Sequence, residues 1–112
     1  MEASFEQIDS FLVIAVTGRL DTVSAPQFDE KLAPVLAKRC PNILLDMSQI
    51  SYVSSAGLRS ILHLVKHADE NCGRVGLFSV PLQIMDVLEI SGFPPRLDIY
   101  ADRASALGRK AS

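Results

Sequence analysis

The sequence predicts an α/β fold built on a mixed, mostly parallel sheet, and three observations predict it. Short β-prone apolar runs alternate with segments whose apolar residues recur every three or four positions. The first two runs are separated only by Asp9-Ser10, which predicts a hairpin and hence one antiparallel strand at an edge. Each later pair of runs is separated by a helical segment, which predicts crossovers between parallel strands. The chain has 112 residues, 48% of them hydrophobic, enough for a single domain over residues 1–112 with a core of its own.

Taken in order, Phe5 to Ile8 and Phe11 to Val16 read as the hairpin strands. The second is nearly continuous in apolar residues, as in a strand covered on both faces. Thr17-Gly18-Arg19-Leu20-Asp21 breaks that pattern. From Ser24 the spacing turns helical, with Phe28, Leu32, Val35 and Leu36 on one face and Asp29, Glu30, Lys31 and Lys38 largely elsewhere. Pro26 suits the first turn of this helix, Pro34 is expected to kink it, and Pro41 marks its end. Asn42 to Asp46 reads as a buried strand, followed by a loop from Met47 to Ser54. A regular helix follows from about Ser55 to Asn71. Leu58, Ile61, Leu62, Val65 and Ala68 face inward, with Arg59, His63, Lys66 and Glu70 outward. Gly73 ends it. Arg74 to Val80 is a strand, and Pro81 opens a short helix carrying Ile84, Val87, Leu88 and Ile90. Ser91-Gly92-Phe93-Pro94-Pro95 closes that helix, before a strand at Leu97 to Tyr100 and a fourth helix from about Ala101 to Arg109.

Composition narrows the function. A net charge of −2 with 21% charged residues lacks the excess of Lys and Arg that nucleic-acid surfaces carry. No basic segment precedes an apolar stretch at the N-terminus, and the longest apolar run is too short to span a bilayer, so a cytoplasmic location is expected. Cys40 and Cys72 belong to no C-x-x-C pair and read as small residues in or near a core. Neither phosphate-cradling glycine loop occurs, nor a nucleophile elbow. His63 and His67 stand four residues apart without the intervening Glu of a zincin, and read as part of a polar helix face rather than a metal site. Asp46 ends a strand as a receiver phosphoacceptor would, but Ala15-Val16-Thr17-Gly18 supplies no acidic pair beside it.

The informative stretch runs from Leu45-Asp46 through Ser54-Ser55-Ala56-Gly57-Leu58. Ser55 sits where an N-cap is expected, its hydroxyl placed to accept from the backbone N–H of residue 57 or 58. Ala56 and Gly57 weaken a first turn, and suit a backbone that another chain or a phosphate approaches closely. A capping serine over tightly packed small residues fits the same pattern.

An aliphatic strand ending in Asp, a short loop and then Ser-Ser-Ala-Gly-Leu resembles the STAS domain of bacterial anti-sigma factor antagonists. Gly18-Arg19-Leu20-Asp21 is similar to that family's Gly-x-Leu-Asp signature, and Ser91-Gly92-Phe93 to its late S-G-[LF] turn. The resemblance covers almost the whole chain. It implies the STAS fold, with an N-terminal hairpin edge and about four helices, and a non-enzymatic binding switch. It makes Ser55 the residue phosphorylated by a GHKL-type serine kinase that is also the anti-sigma factor, with a PP2C-type phosphatase restoring the free form. The unphosphorylated form would bind, and the phosphorylated form release. Ser54 occupies a position commonly Asp in the family and is the alternative acceptor. Asp21, Ser54, Ser55, Ala56, Gly57, Arg59 and His63 are the implied partner surface, with Asp46 in support. Arg59, one turn beyond Ser55, is spaced to hold a phosphate there. No cofactor and no metal is implied; ATP is the kinase's substrate. Two alternatives remain open. One is a structural STAS subunit of a lipid-transport ABC complex. The other is an enzyme or nucleotide-binding protein using Asp21 and Asp46 around Ser55.

Overall fold

The computed structural model describes residues 1–37, 42–92 and 97–108. Its strands are β1 (Glu2–Ile8), β2 (Phe11–Leu20), β3 (Asn42–Val53), β4 (Arg74–Phe78) and β5 (Leu97–Tyr100). Its helices are α1 (Ala25–Leu36), α2 (Ser55–Glu70), α3 (Leu82–Ser91) and α4 (Arg103–Gly108). The five strands form one sheet in the order β1-β2-β3-β4-β5, with β1 antiparallel to β2 and the other pairs parallel. Asp9 takes a φ of 53° in the hairpin turn, a left-handed conformation that Asp tolerates better than most residues.

Strand alternation sends neighbouring side chains to opposite faces, and each face has its own core. On one, Ile14, Leu45 and Leu77 pack with Phe28 and Leu32 of α1, Ile61, Leu64 and Val65 of α2, and Ile84 and Leu88 of α3. On the other, Val13, Leu44 and Phe78 pack with Phe11 and with Ala106 of α4. Gly76 leaves room for the side chains of β3 and β5, since a Cβ there would lie 2.9 Å from Leu44 Cδ2 and from Tyr100 Cε2 and would make them shift.

Several elements differ from the sequence reading. β2 does not stop at Val16 but continues to Leu20, and β3 runs through the expected loop to Val53. The two remain paired as far as Leu20↔Val53, with register shifts between Ala15 and Thr17 and between Gly18 and Arg19. Gly18 meets one shift with a φ of +88°. The shifts explain why β3 looked like a loop: Met47, Ile50 and Val53 are buried at intervals of three, not two, with exposed Ser48, Gln49, Ser51 and Tyr52 between. α1 continues through exposed Pro34 and ends only two residues later. In α2 the inward residue is Leu64, with Leu62 half-buried. β4 ends at Phe78, and Val87 and Ile90 of α3 face outward. Cys72 is exposed rather than in the core, holding the left-handed position (φ 63°) after α2. The expectations for Lys38, Cys40, Pro41, Phe93, Pro94, Pro95 and Arg109 fall outside the described residues.

Candidate functional site

β2 and β3 reach furthest at their C-terminal ends, the end of a parallel sheet where α/β proteins place their sites. There the backbone N–H of Ser54 donates to the Leu20 carbonyl at 2.9 Å, tying the start of α2 to the end of β2. The N-cap of α2 is Ser54, not Ser55 as its position in the sequence suggested. Ser54 is extended (φ −85°, ψ 176°), its Oγ accepts from the Gly57 N–H at 3.2 Å, and its carbonyl accepts from the Leu58 N–H at 2.8 Å. Its side chain is thus occupied within the fold. Ser55, one residue later in the first turn, is exposed, and no hydrogen bond involves its hydroxyl among the described residues.

Gly57 is buried, and what approaches it is the protein's own chain. A Cβ there would collide with the Leu20 carbonyl oxygen and lie 2.9 Å from both the Leu20 carbonyl carbon and Cγ. The small residue therefore lets α2 seat on β2, and Gly57 presents no surface to a partner.

Asp21 lies just past β2 and organises the entry to α1. Its Oδ1 accepts from the Val23 N–H and the Ser24 N–H, each at 3.1 Å. Ser24, buried, accepts from the Asp21 N–H at 2.9 Å and donates its hydroxyl to the Arg19 carbonyl at 2.6 Å. The Ser24 N–H first, and then the Arg19 and Ser24 side chains and the Val23 N–H, hold the Asp21 carboxyl below the usual carboxylate range, against a smaller opposing effect of burial. Asp21 is a turn-forming carboxylate at the rim of the site.

Sequence reasoning missed three residues at this end. Arg19 lays its guanidinium over the Tyr52 ring, 4.4 Å from the centroid, while its Nε lies 3.4 Å from Asp21 Oδ2. Val23 is 78% exposed, the most open apolar side chain beside the site. The signals were present, an Arg inside Gly-x-Leu-Asp and a lone aromatic in a polar run, but only the β2–β3 register makes Arg19 and Tyr52 neighbours.

Asp46 is not brought to Ser55. It faces Ala15 across the β2–β3 pair while Val53 faces Leu20, five β2 residues further on and roughly 16 Å along the strand. Its Oδ1 accepts from the Ser48 N–H at 3.0 Å, which shapes the first bulge. Arg59 and His63 are exposed on α2 as expected. His67 is not: it is half-buried and donates from Nε2 to the Leu36 carbonyl at 3.0 Å, linking the end of α1 to α2. Among the described residues no group of three or more His, Cys, Asp or Glu is placed to hold a metal ion, and no helix is long and apolar enough to cross a membrane.

With this geometry in view, the profile of the STAS domain matches residues 2–106. The chain belongs to the STAS domain family. This STAS domain is 31% identical over 106 residues to BtrV of Bordetella bronchiseptica, named as an anti-sigma factor antagonist, covering 95% of this chain and 91% of that one. Its fold is similar to that of a Thermotoga maritima protein described in the same terms, with a TM-score of 0.88 at 20% identity over 95% and 92% of the two chains. It is also similar to the Bacillus cell-fate determinant SpoIIAA solved in the phosphorylated form, with a TM-score of 0.70 at 20% identity over 89% and 92%.

Proposed function

We propose that this STAS domain is an anti-sigma factor antagonist whose binding is switched off by phosphorylation of Ser55. The observation that carries the reading is the division of labour between two adjacent serines. Ser54 Oγ is engaged as the cap of α2, whereas the Ser55 hydroxyl is exposed beside it and free to reach a kinase. The name of BtrV and the description of SpoIIAA as phosphorylated support the same reading.

The chemistry follows from position. Unphosphorylated, the α2 start, the Asp21 turn and the exposed Arg59–His63 face receive a GHKL-type serine kinase that also serves as the anti-sigma factor, so its sigma factor is released. The kinase then transfers the γ-phosphoryl group of its own ATP to Ser55 Oγ. The new group carries about −1.5 to −2 charges. It stands at a helix N-terminus, where the dipole and the first-turn N–H groups of Ser55 and Ala56, which have no backbone acceptor among the described residues, favour an anion. The fold therefore tolerates the phosphate while the partner surface is repelled and must desolvate a dianion. A PP2C-type phosphatase restores the binding form. In this reading the protein acts in the cytoplasm as a binding protein and not a catalyst, with no cofactor of its own.

A pull-down comparing Ser55→Ala with Ser55→Asp tests the proposal. One kinase is expected to be retained by the first and lost by the second, and phosphate incorporation is expected to vanish in Ser55→Ala. Undiminished labelling of Ser55→Ala would move the acceptor to Ser54 or elsewhere. Stable co-purification with a transport ATPase, without any phosphorylated form in cells, would assign the structural-subunit role instead.

A further inference from the structure

A groove of about 280 Å³ lies between α1 and α2, beginning one helical turn from Ser55. Leu32, Leu36 and Leu64 line it, and the small Ala33 of α1 also borders it. Asp29 stands on the α1 wall and Arg59 on the α2 wall, yet they form no ion pair, and Arg59 has no carboxylate partner among the described residues. Arg59 and His63 line the α2 side of the groove, so its one fixed positive charge there is Arg59. The volume falls just below the roughly 300–1,000 Å³ typical of small-molecule sites. It suits inserted side chains better.

We propose that this groove receives an apolar side chain of the anti-sigma partner, with a partner carboxylate beside it pairing with Arg59. The inference rests on the phosphoswitch reading of Ser55 and extends it by naming a second contact and its chemistry. Two features favour that occupant. An apolar floor beside an unpaired guanidinium complements an amphipathic segment carrying one acidic residue. A kinase reaching the Ser55 hydroxyl must also lie over the next turn of α2, so the groove is continuous with the surface it covers. The same placement gives Arg59 two competing acceptors, the partner carboxylate and, four residues away on its own helix, a phosphate on Ser55.

The test is isothermal titration of the unphosphorylated chain with the kinase recovered by Ser55→Ala. Four proteins are compared: wild type, Ala33→Phe, Arg59→Gln, and Lys31→Gln on the opposite side of α1. Ala33→Phe, which fills the groove from an exposed position, and Arg59→Gln are each expected to weaken binding at least tenfold, with Lys31→Gln within twofold of wild type. Thermal melts check the fold, and Ala33→Gln replaces Ala33→Phe should the larger ring lower the melting temperature. Overturning results are clear. If the kinase binds and phosphorylates Ser55 with both groove variants within twofold of wild type, the groove is not a contact. Self-association abolished by Ala33→Phe would give the groove to a second copy of the chain. A kinase that leaves wild-type Ser55 unlabelled would overturn the Ser55 reading itself, and this inference with it.

Discussion

Ser54, Ser55 and Gly57 stand within four residues of one another and do three different jobs, each readable as a stability effect. Ser54→Ala removes the Oγ that accepts from the Gly57 N–H and is expected to cost about 1 kcal/mol, while Ser54→Asp keeps the cap. Ser55→Ala removes an exposed hydroxyl and is expected to change stability by no more than about 0.5 kcal/mol. Gly57→Ala runs against propensity: alanine is the better helix former by about 1 kcal/mol. The collision with Leu20 reverses that sign, for a net loss of about 1–3 kcal/mol. Urea denaturation of the four variants checks the ranking, and a stabilised Gly57→Ala would mean that β2 and α2 can separate without cost.

At the scale of the element, β2 and β3 were the hardest to read and α2 the easiest. A sixteen-residue helix repeats its apolar face often enough for the period to emerge despite one misassigned leucine. Bulges do the reverse, because each inserted residue shifts the phase of alternation, and the buried Met47, Ile50 and Val53 then look irregular. α1 carries the clearest local conflict. Pro34 cannot donate the N–H that a helix needs at that position, yet the helix passes through it because Phe28, Leu32 and Val35 are anchored in the core and the end is near. Pro34→Ala is therefore expected to stabilise the protein by about 1–2 kcal/mol, less than the roughly 3 of a mid-helix proline. Thermal melts measure the gain. No gain would show that α1 is already interrupted at Ala33.

For the whole molecule, the modest net charge of −2 sets the scale on which the proposed phosphorylation would act. One phosphate nearly doubles it, and does so at the end of the sheet where α2 begins. A modification that acts by repelling a partner should leave both cores alone. Protein carrying phosphoserine at position 55 is thus expected to elute later on anion exchange while melting no lower than the unmodified form. A fall of about 4–8 °C, the shift that 1 kcal/mol produces in a small domain, would show instead that the phosphate works by loosening α2.

The order of strands and helices, the hairpin edge and the charged face of α2 were all written in the sequence, because each depends on local periodicity or on a short contiguous motif. Tertiary structure alone decided which serine caps α2, what presses on Gly57, and where Arg19 and Tyr52 meet. It also carried Asp46 away from the site and opened the groove beside Arg59. Each of these depends on residues far apart in the chain, brought together by the β2–β3 register or by the seating of α1 beside α2, and a contact between distant residues leaves no period in the sequence.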